Sequence, residues 1–167
     1  MRDVRLQPFA SIRPSGLPSV EVEGLYVHIP FCFHKCHYCD FYSITRQTEE
    51  RMARLVELML SEAELWSAGR AGPTPRPRTV FFGGGTPSLL PLELMRRLIG
   101  GLRERFDCSV VEEWTVECNP ATVRADYCAM LREAGVDVTV RREPDLVHGF
   151  INAVGLSRRA REASPTA

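Results

Sequence analysis

The stretch HIPFCFHKCHYCDFYS, from His28 to Ser43, puts Cys32, Cys36 and Cys39 on one short segment. Three cysteines are one fewer than a closed zinc or iron–sulfur site takes from protein. A cube of four irons and four sulfides needs one external ligand per iron, so three thiolates leave one iron open. An open coordination position marks a chemical centre rather than a structural one. The spacing, three and then two intervening residues, lets one loop wrap one cluster. Zinc is the alternative, with His28, His34 or His37 as fourth ligand, although zinc sites usually use CxxC pairs in two places and the chain has no second pair.

Working outward, Leu25 to Ile29 alternates, is rich in strand formers and stops at Pro30. The cysteine segment is therefore the loop leaving a first strand. Beyond it, Thr48 can cap a helix with Glu49 and Glu50 in its first turn. Met52, Leu55, Val56, Met59, Ala63 and Trp66 then recur at helical spacing. Pro and Gly break the chain from Ala68 to Arg78.

A second strand reads Thr79 to Phe82, a continuous apolar run that predicts cover on both faces. It leads into Gly83-Gly84-Gly85-Thr86-Pro87-Ser88. A helix follows from about Pro91, with Met95, Leu98, Ile99, Leu102 and Phe106 on one side, although Gly100 and Gly101 weaken it. The third strand reads Trp114 to Glu117. Thr122 can cap the next helix, whose inward residues are Val123, Tyr127, Met130, Leu131 and Ala134, with Gly135 as its C′ residue. A fourth strand is expected over Val136 to Val140.

Strands alternating with helices predict an α/β fold with parallel strands and right-handed crossovers. Loops at the carboxyl ends of such strands build the ligand site. The cysteine loop, the glycine loop and Glu117-Cys118-Asn119-Pro120 all fall there. The glycines let backbone approach a ligand closely, and their N–H and C=O groups can grip a carboxylate and an ammonium. S-adenosylmethionine carries both. Glu117, at a strand mouth, can accept hydrogen bonds from a ribose or an ammonium.

Composition limits the classes. The chain has 167 residues, 44% hydrophobic, with 21 basic and 21 acidic side chains, so no broad cationic surface for nucleic acid is expected. All the basic residues except Lys35 are Arg. No apolar run reaches membrane-span length, and residues 1–24 lack a signal-peptide core, so a cytoplasmic protein is the expectation. Clustered thiols in that compartment bind metal or react more often than they pair. Cys108, Cys118 and Cys128 are scattered and are expected as small buried hydrophobes.

Cys32-x3-Cys36-x2-Cys39, with Tyr38 before the last cysteine, resembles the radical S-adenosylmethionine superfamily. More narrowly, LYVHIPFC, CHYCDFYS, FFGGGTPS and VECNP, in that order over roughly Gly24 to Val136, resemble the oxygen-independent coproporphyrinogen III oxidase-like family. The dehydrogenases of that family carry a further cysteine two residues after the third, where this chain has Phe41. YCDFYS looks instead like its heme chaperone branch, HemW. The resemblance implies the first half of a (β/α)6 partial barrel over residues 25–140, after an irregular arm at 1–24. It implies binding of heme, a 4Fe-4S cluster and S-adenosylmethionine, and delivery of heme to acceptors such as respiratory enzymes, through which peripheral membrane contact can arise. Residue by residue, Cys32, Cys36 and Cys39 would hold three irons. Tyr26 and Tyr38 would flank S-adenosylmethionine, Gly84, Gly85 and Thr86 would hold its methionine end, and Glu117 would contact it. Oxidase activity is not implied. A porphyrinogen-oxidising enzyme and an inactive metal-binding fragment are the alternatives. No residue is singled out as heme ligand, His34, His37 and His148 being equally unsupported.

After Val136 the pattern departs from the family. The expected strand R-[ILV]-S-x-G-x-Q-S is absent, and Asp145-Leu146-Val147-His148-Gly149 and Ser157 to Ala163 resemble remnants of later elements. The expectation is a core truncated after about strand 4 by a deletion or frameshift, with a divergent tail over 141–167.

Overall fold

A computed structural model describes residues 21–68, 73–119 and 121–136. The order is β1 (Gly24–Ile29), α1 (Glu49–Ala68), β2 (Thr79–Gly84), α2 (Leu92–Arg105), β3 (Glu113–Val116) and α3 (Ala125–Glu133), with short 3-10 turns at Pro87–Leu89 and Cys108–Val110. The strands form one parallel sheet in the order β1-β2-β3. Gly24 lies opposite Thr79 and Ile29 opposite Gly84; Thr79 lies opposite Glu113 and Phe82 opposite Val116. The fourth strand expected over Val136 to Val140, the tail at 141–167 and nearly all of the N-terminal arm lie outside the described residues.

Side chains alternate across the sheet, as the strand period requires. Val27, Ile29, Val80 and Phe82 are buried against the helices with Met52, Val56, Met95 and Leu98. The other face carries Tyr26 and Phe81, whose rings stack with centroids 6.0 Å apart and stay exposed at 54% and 38%. The expectation that β2 is covered on both faces is therefore corrected among the described residues. Phe81 and Phe82 look equivalent in sequence, but among the described residues the helices lie on one side only.

Gly100 and Gly101 do not break α2. Gly100 faces open space, whereas a Cβ on Gly101 would lie 2.5 Å from Leu60 Cδ2. The second glycine thus lets α2 approach α1 closely. Thr48 does cap α1, accepting the Arg51 N–H at 3.4 Å. Trp66 does not join the inward stripe; it sits in the last turn of α1 at the rim of a cleft beside β1 and is 44% exposed. Helix α3 starts later than predicted, with Arg124 at its N-cap, because the Thr122 hydroxyl is engaged in the preceding loop. Gly135 closes α3 with φ +77°, its N–H donating to Arg132 O and that of Val136 to Leu131 O.

Candidate functional site

The three strands leave the sheet at one edge, so their exit loops meet. Phe31, 1% exposed, anchors the first loop. Its carbonyl accepts the Thr86 N–H at 2.7 Å, and Ile29 O accepts the Gly85 N–H at 2.8 Å. The far end of the loop returns to its start: Cys32 N–H donates to Ile44 O at 3.1 Å and Ile44 N–H to Pro30 O at 2.7 Å. The segment bearing Cys36 and Cys39 is thus a closed loop hung from a parallel bridge between Phe31 and Ile44. Within it, Cys39 N–H donates to Cys36 O at 3.1 Å.

Cys32, Cys36 and Cys39 are free thiols, each partly buried. Burial holds the Cys32 thiol above its ordinary pKa, the Thr86 hydroxyl hydrogen bond at 3.9 Å opposes this, and nearby Cys39 and Cys36 add to the rise. Tyr38 is raised chiefly by its hydrogen bond with Cys36. The three cysteines, Tyr38, Gly84, Gly85, Thr86 and Glu117 all line one cleft of about 970 Å³. Among the described residues, no three His, Cys, Asp or Glu side chains converge as ligands of a single ion. A cube-shaped cluster does not demand that, since each thiolate meets a different iron. The donor set, three unpaired thiols on one loop facing one cleft, suits such a cluster in chemistry.

The glycines are required first by the protein itself. A Cβ on Gly85 would lie 2.7 Å from Phe31 O and from the Pro30 carbonyl carbon. Gly84 has φ +109°, and a Cβ there would lie 2.6 Å from His28 Cε1. Close approach at these glycines is therefore to the cysteine loop and His28 within the chain itself, and both glycines line the cleft. Thr86 is buried at 7%. Glu117 lies one residue past β3, its N–H continuing the ladder to Phe82 O at 2.9 Å while its side chain is exposed.

Tyr26 is not part of the cleft wall; it lies on the open face of the sheet, near enough to Glu117 to feel its charge. Its hydroxyl pairs with His28 Nδ1 at 2.9 Å, and its pKa is raised by desolvation and then by the charge of Glu117. Cys108 and Cys128 are only partly buried and Cys118 is exposed, correcting the expectation that all three are core residues. Cys118 instead lines the cleft, with its thiol donating to Val116 O at 3.5 Å. Sequence reading also missed Ser88, Asn119 and Thr122, which join two of the loops. The signal was the place of Ser88 in GGGTPS and of Asn119 in ECNP, with Thr122 two residues beyond, but polar loop residues carry no periodicity to show which of them meet.

Residues 26–140 match the Radical SAM superfamily. The chain is 39% identical to the heme chaperone HemW of Escherichia coli (strain K12), over 68% of this chain and 30% of that protein. Against HemW of Lactococcus lactis subsp. lactis (strain IL1403) the identity is 34%, over 67% of this chain and 28% of the relative. Among solved structures, it is similar to coproporphyrinogen III oxidase (HemN) from Escherichia coli, described as a radical SAM enzyme. That match has a TM-score of 0.63 at 25% identity and covers 85% of this chain and 35% of that one. The chain therefore spans under a third of the length of these curated relatives.

Proposed function

The chain belongs to the Radical SAM superfamily, and from that premise we propose a heme-chaperone-like protein that binds heme, a 4Fe-4S cluster and S-adenosylmethionine and passes heme to acceptor proteins such as respiratory enzymes. The observation that carries the reading is the gathering of three free thiols, the glycine loop and Glu117 around one cleft at the carboxyl edge of a parallel sheet. In this reading residues 25–140 are the working core. Cys32, Cys36 and Cys39 hold three irons. The cluster, when bound, supplies an open iron for the amine and carboxylate of S-adenosylmethionine.

The chain's own groups do the rest. Thr86 donates its hydroxyl toward Cys32 Sγ, which favours the thiolate at a partly buried position. Gly84 and Gly85 hold the methionine end, Glu117 accepts from the ligand's donors, and Tyr26 and Tyr38 flank it. Phe41, where the dehydrogenases of the family have cysteine, supports the chaperone over the oxidase. Transfer between proteins suits a cytoplasmic carrier, and among the described residues no helix is long and apolar enough to cross a membrane.

Anaerobic reconstitution tests the reading. The parent chain is expected to take up four irons with the absorption of a 4Fe-4S cluster, to bind heme, and to yield no oxidised porphyrinogen. Cys36→Ala should lose the cluster; iron retained in that variant removes Cys36 from the ligand set. Release of 5′-deoxyadenosine with substrate turnover would instead establish the oxidase, the activity named for a Paracoccus denitrificans relative that is 29% identical. Uptake of one zinc and no iron would leave a metal-binding fragment.

A further inference from the structure

The loops after β2 and β3 are joined by a cluster of hydroxyls that the site described above does not use. We propose that Ser88 and Thr122 form a latch holding these two loops together, and that Thr122 is thereby a positioning residue for Glu117. The inference rests on the reading of Glu117 as a contact of S-adenosylmethionine.

Ser88 is a polar side chain in the interior, 5% exposed. The Thr122 hydroxyl can donate to Asn119 O at 2.9 Å. Ser88 Oγ and Thr122 Oγ1 share a hydrogen bond that either hydroxyl can donate. The lone pairs of Ser88 Oγ accept the Asn119 N–H at 3.0 Å. Ser88 thus bonds to both Thr122 and Asn119, which no apolar side chain of its size can do. Asn119 is fixed from three more sides: its carbonyl also accepts the N–H groups of Thr122 and Val123 at 2.8 and 3.1 Å, and its side-chain oxygen accepts that of Ala121 at 2.9 Å.

Glu117 lies two residues before Asn119, and its N–H donates to Phe82 O of the sheet at 2.9 Å. Past that bond, the direction of the chain is set by where Asn119 is held. On the other side of the latch, Thr86 lies two residues before Ser88 and bonds to both Phe31 O and Cys32 Sγ, at 2.7 and 3.9 Å. A continuous run of short links therefore leads from the cysteine loop through residues 86–88 to the Glu117 loop. The buried Tyr127 hydroxyl, donating to Pro87 O at 3.3 Å, braces the same turn from α3.

The test compares Thr122→Val, which keeps the shape and removes the hydroxyl, with Thr122→Ser, which keeps the hydroxyl. In the ligand-free chain, Asn119 N–H exchange should quicken by about tenfold in Thr122→Val and stay unchanged in Thr122→Ser. In the reconstituted chain, affinity for S-adenosylmethionine should fall by about tenfold in Thr122→Val, with iron content retained. The same substitution placed on Glu117→Ala should weaken binding no further, because a residue acting through Glu117 has nothing left to position. Equal weakening in both backgrounds, or parent-like affinity in Thr122→Val, overturns the latch. If Glu117→Ala alone binds as the parent does, or the parent binds nothing, the reading of Glu117 fails and takes the latch with it.

Discussion

Gly85 is the residue at which packing and site construction meet. Its backbone passes so close to Pro30 and Phe31 that any Cβ lands 2.7 Å from main-chain atoms, which cannot rotate away. Gly85→Ala is expected to cost about 1–3 kcal/mol, the range of overpacking, read by chemical denaturation. It should also disturb the Thr86 N–H to Phe31 O bond that hangs the cysteine loop. Phe81 and Phe82 give a second contrast. Phe82 is fully buried and meets Trp114 edge-on, while Phe81 lies on the open face beside Tyr26. Phe82→Ala should cost about 3–5 kcal/mol by denaturation, the usual value for a buried ring. Phe81→Ala should cost about 1 kcal/mol or less, since part of its area is in water already. Equal costs would mean that both faces of β2 are covered.

Among the elements, α1 and α2 form the layer that supports the sheet, and their contact depends on Gly101. Leu60 from α1 occupies the place where a side chain on Gly101 would go. Gly100, its neighbour, faces open space on an exposed surface. Gly100→Ala is therefore expected to stabilise the protein by up to about 1 kcal/mol through helix propensity alone. Gly101→Ala gains the same propensity but pushes on Leu60, and its net effect should be destabilising. Melting curves of the two variants should move in opposite directions. The sequence marked both glycines as a weakness in this helix; tertiary contact separates them, because one faces open space and the other faces Leu60.

At the scale of the molecule, most ion pairs among the described residues lie at the surface, the pairs of Arg105 with Glu64 and Glu104, in which the Arg105 side chain is 23% exposed, being the exception. Arg76–Asp107, Arg78–Glu112 and Arg96–Glu133 have N–O distances of 2.8–2.9 Å, with both partners substantially exposed. Such pairs contribute about 0–1 kcal/mol each and are screened by salt. Raising ionic strength from low to about 1 M sodium chloride should therefore change the denaturation free energy by no more than about 1–2 kcal/mol. A larger loss would mean that charge, rather than the apolar layer between sheet and helices, holds the fold.

Local signals in the chain suffice for the order of strands and helices, their parallel sense and the loops that carry chemistry. Each of these depends on local signals: alternation in Leu25 to Ile29, the Thr48 cap, the helical stripe through Met95 and Leu102, and three cysteines at fixed spacing. Tertiary structure alone decided which face of β2 is covered and why Gly84 and Gly85 must be glycine. It also decided that Trp66 and Cys118 stay out of the core, and that Ser88 meets Asn119 and Thr122 across 31 and 34 residues of chain. Periodicity records how a residue sits within its own element. Contacts between loops have no period, because they depend on how separate strands are laid side by side, and only the assembled sheet sets that.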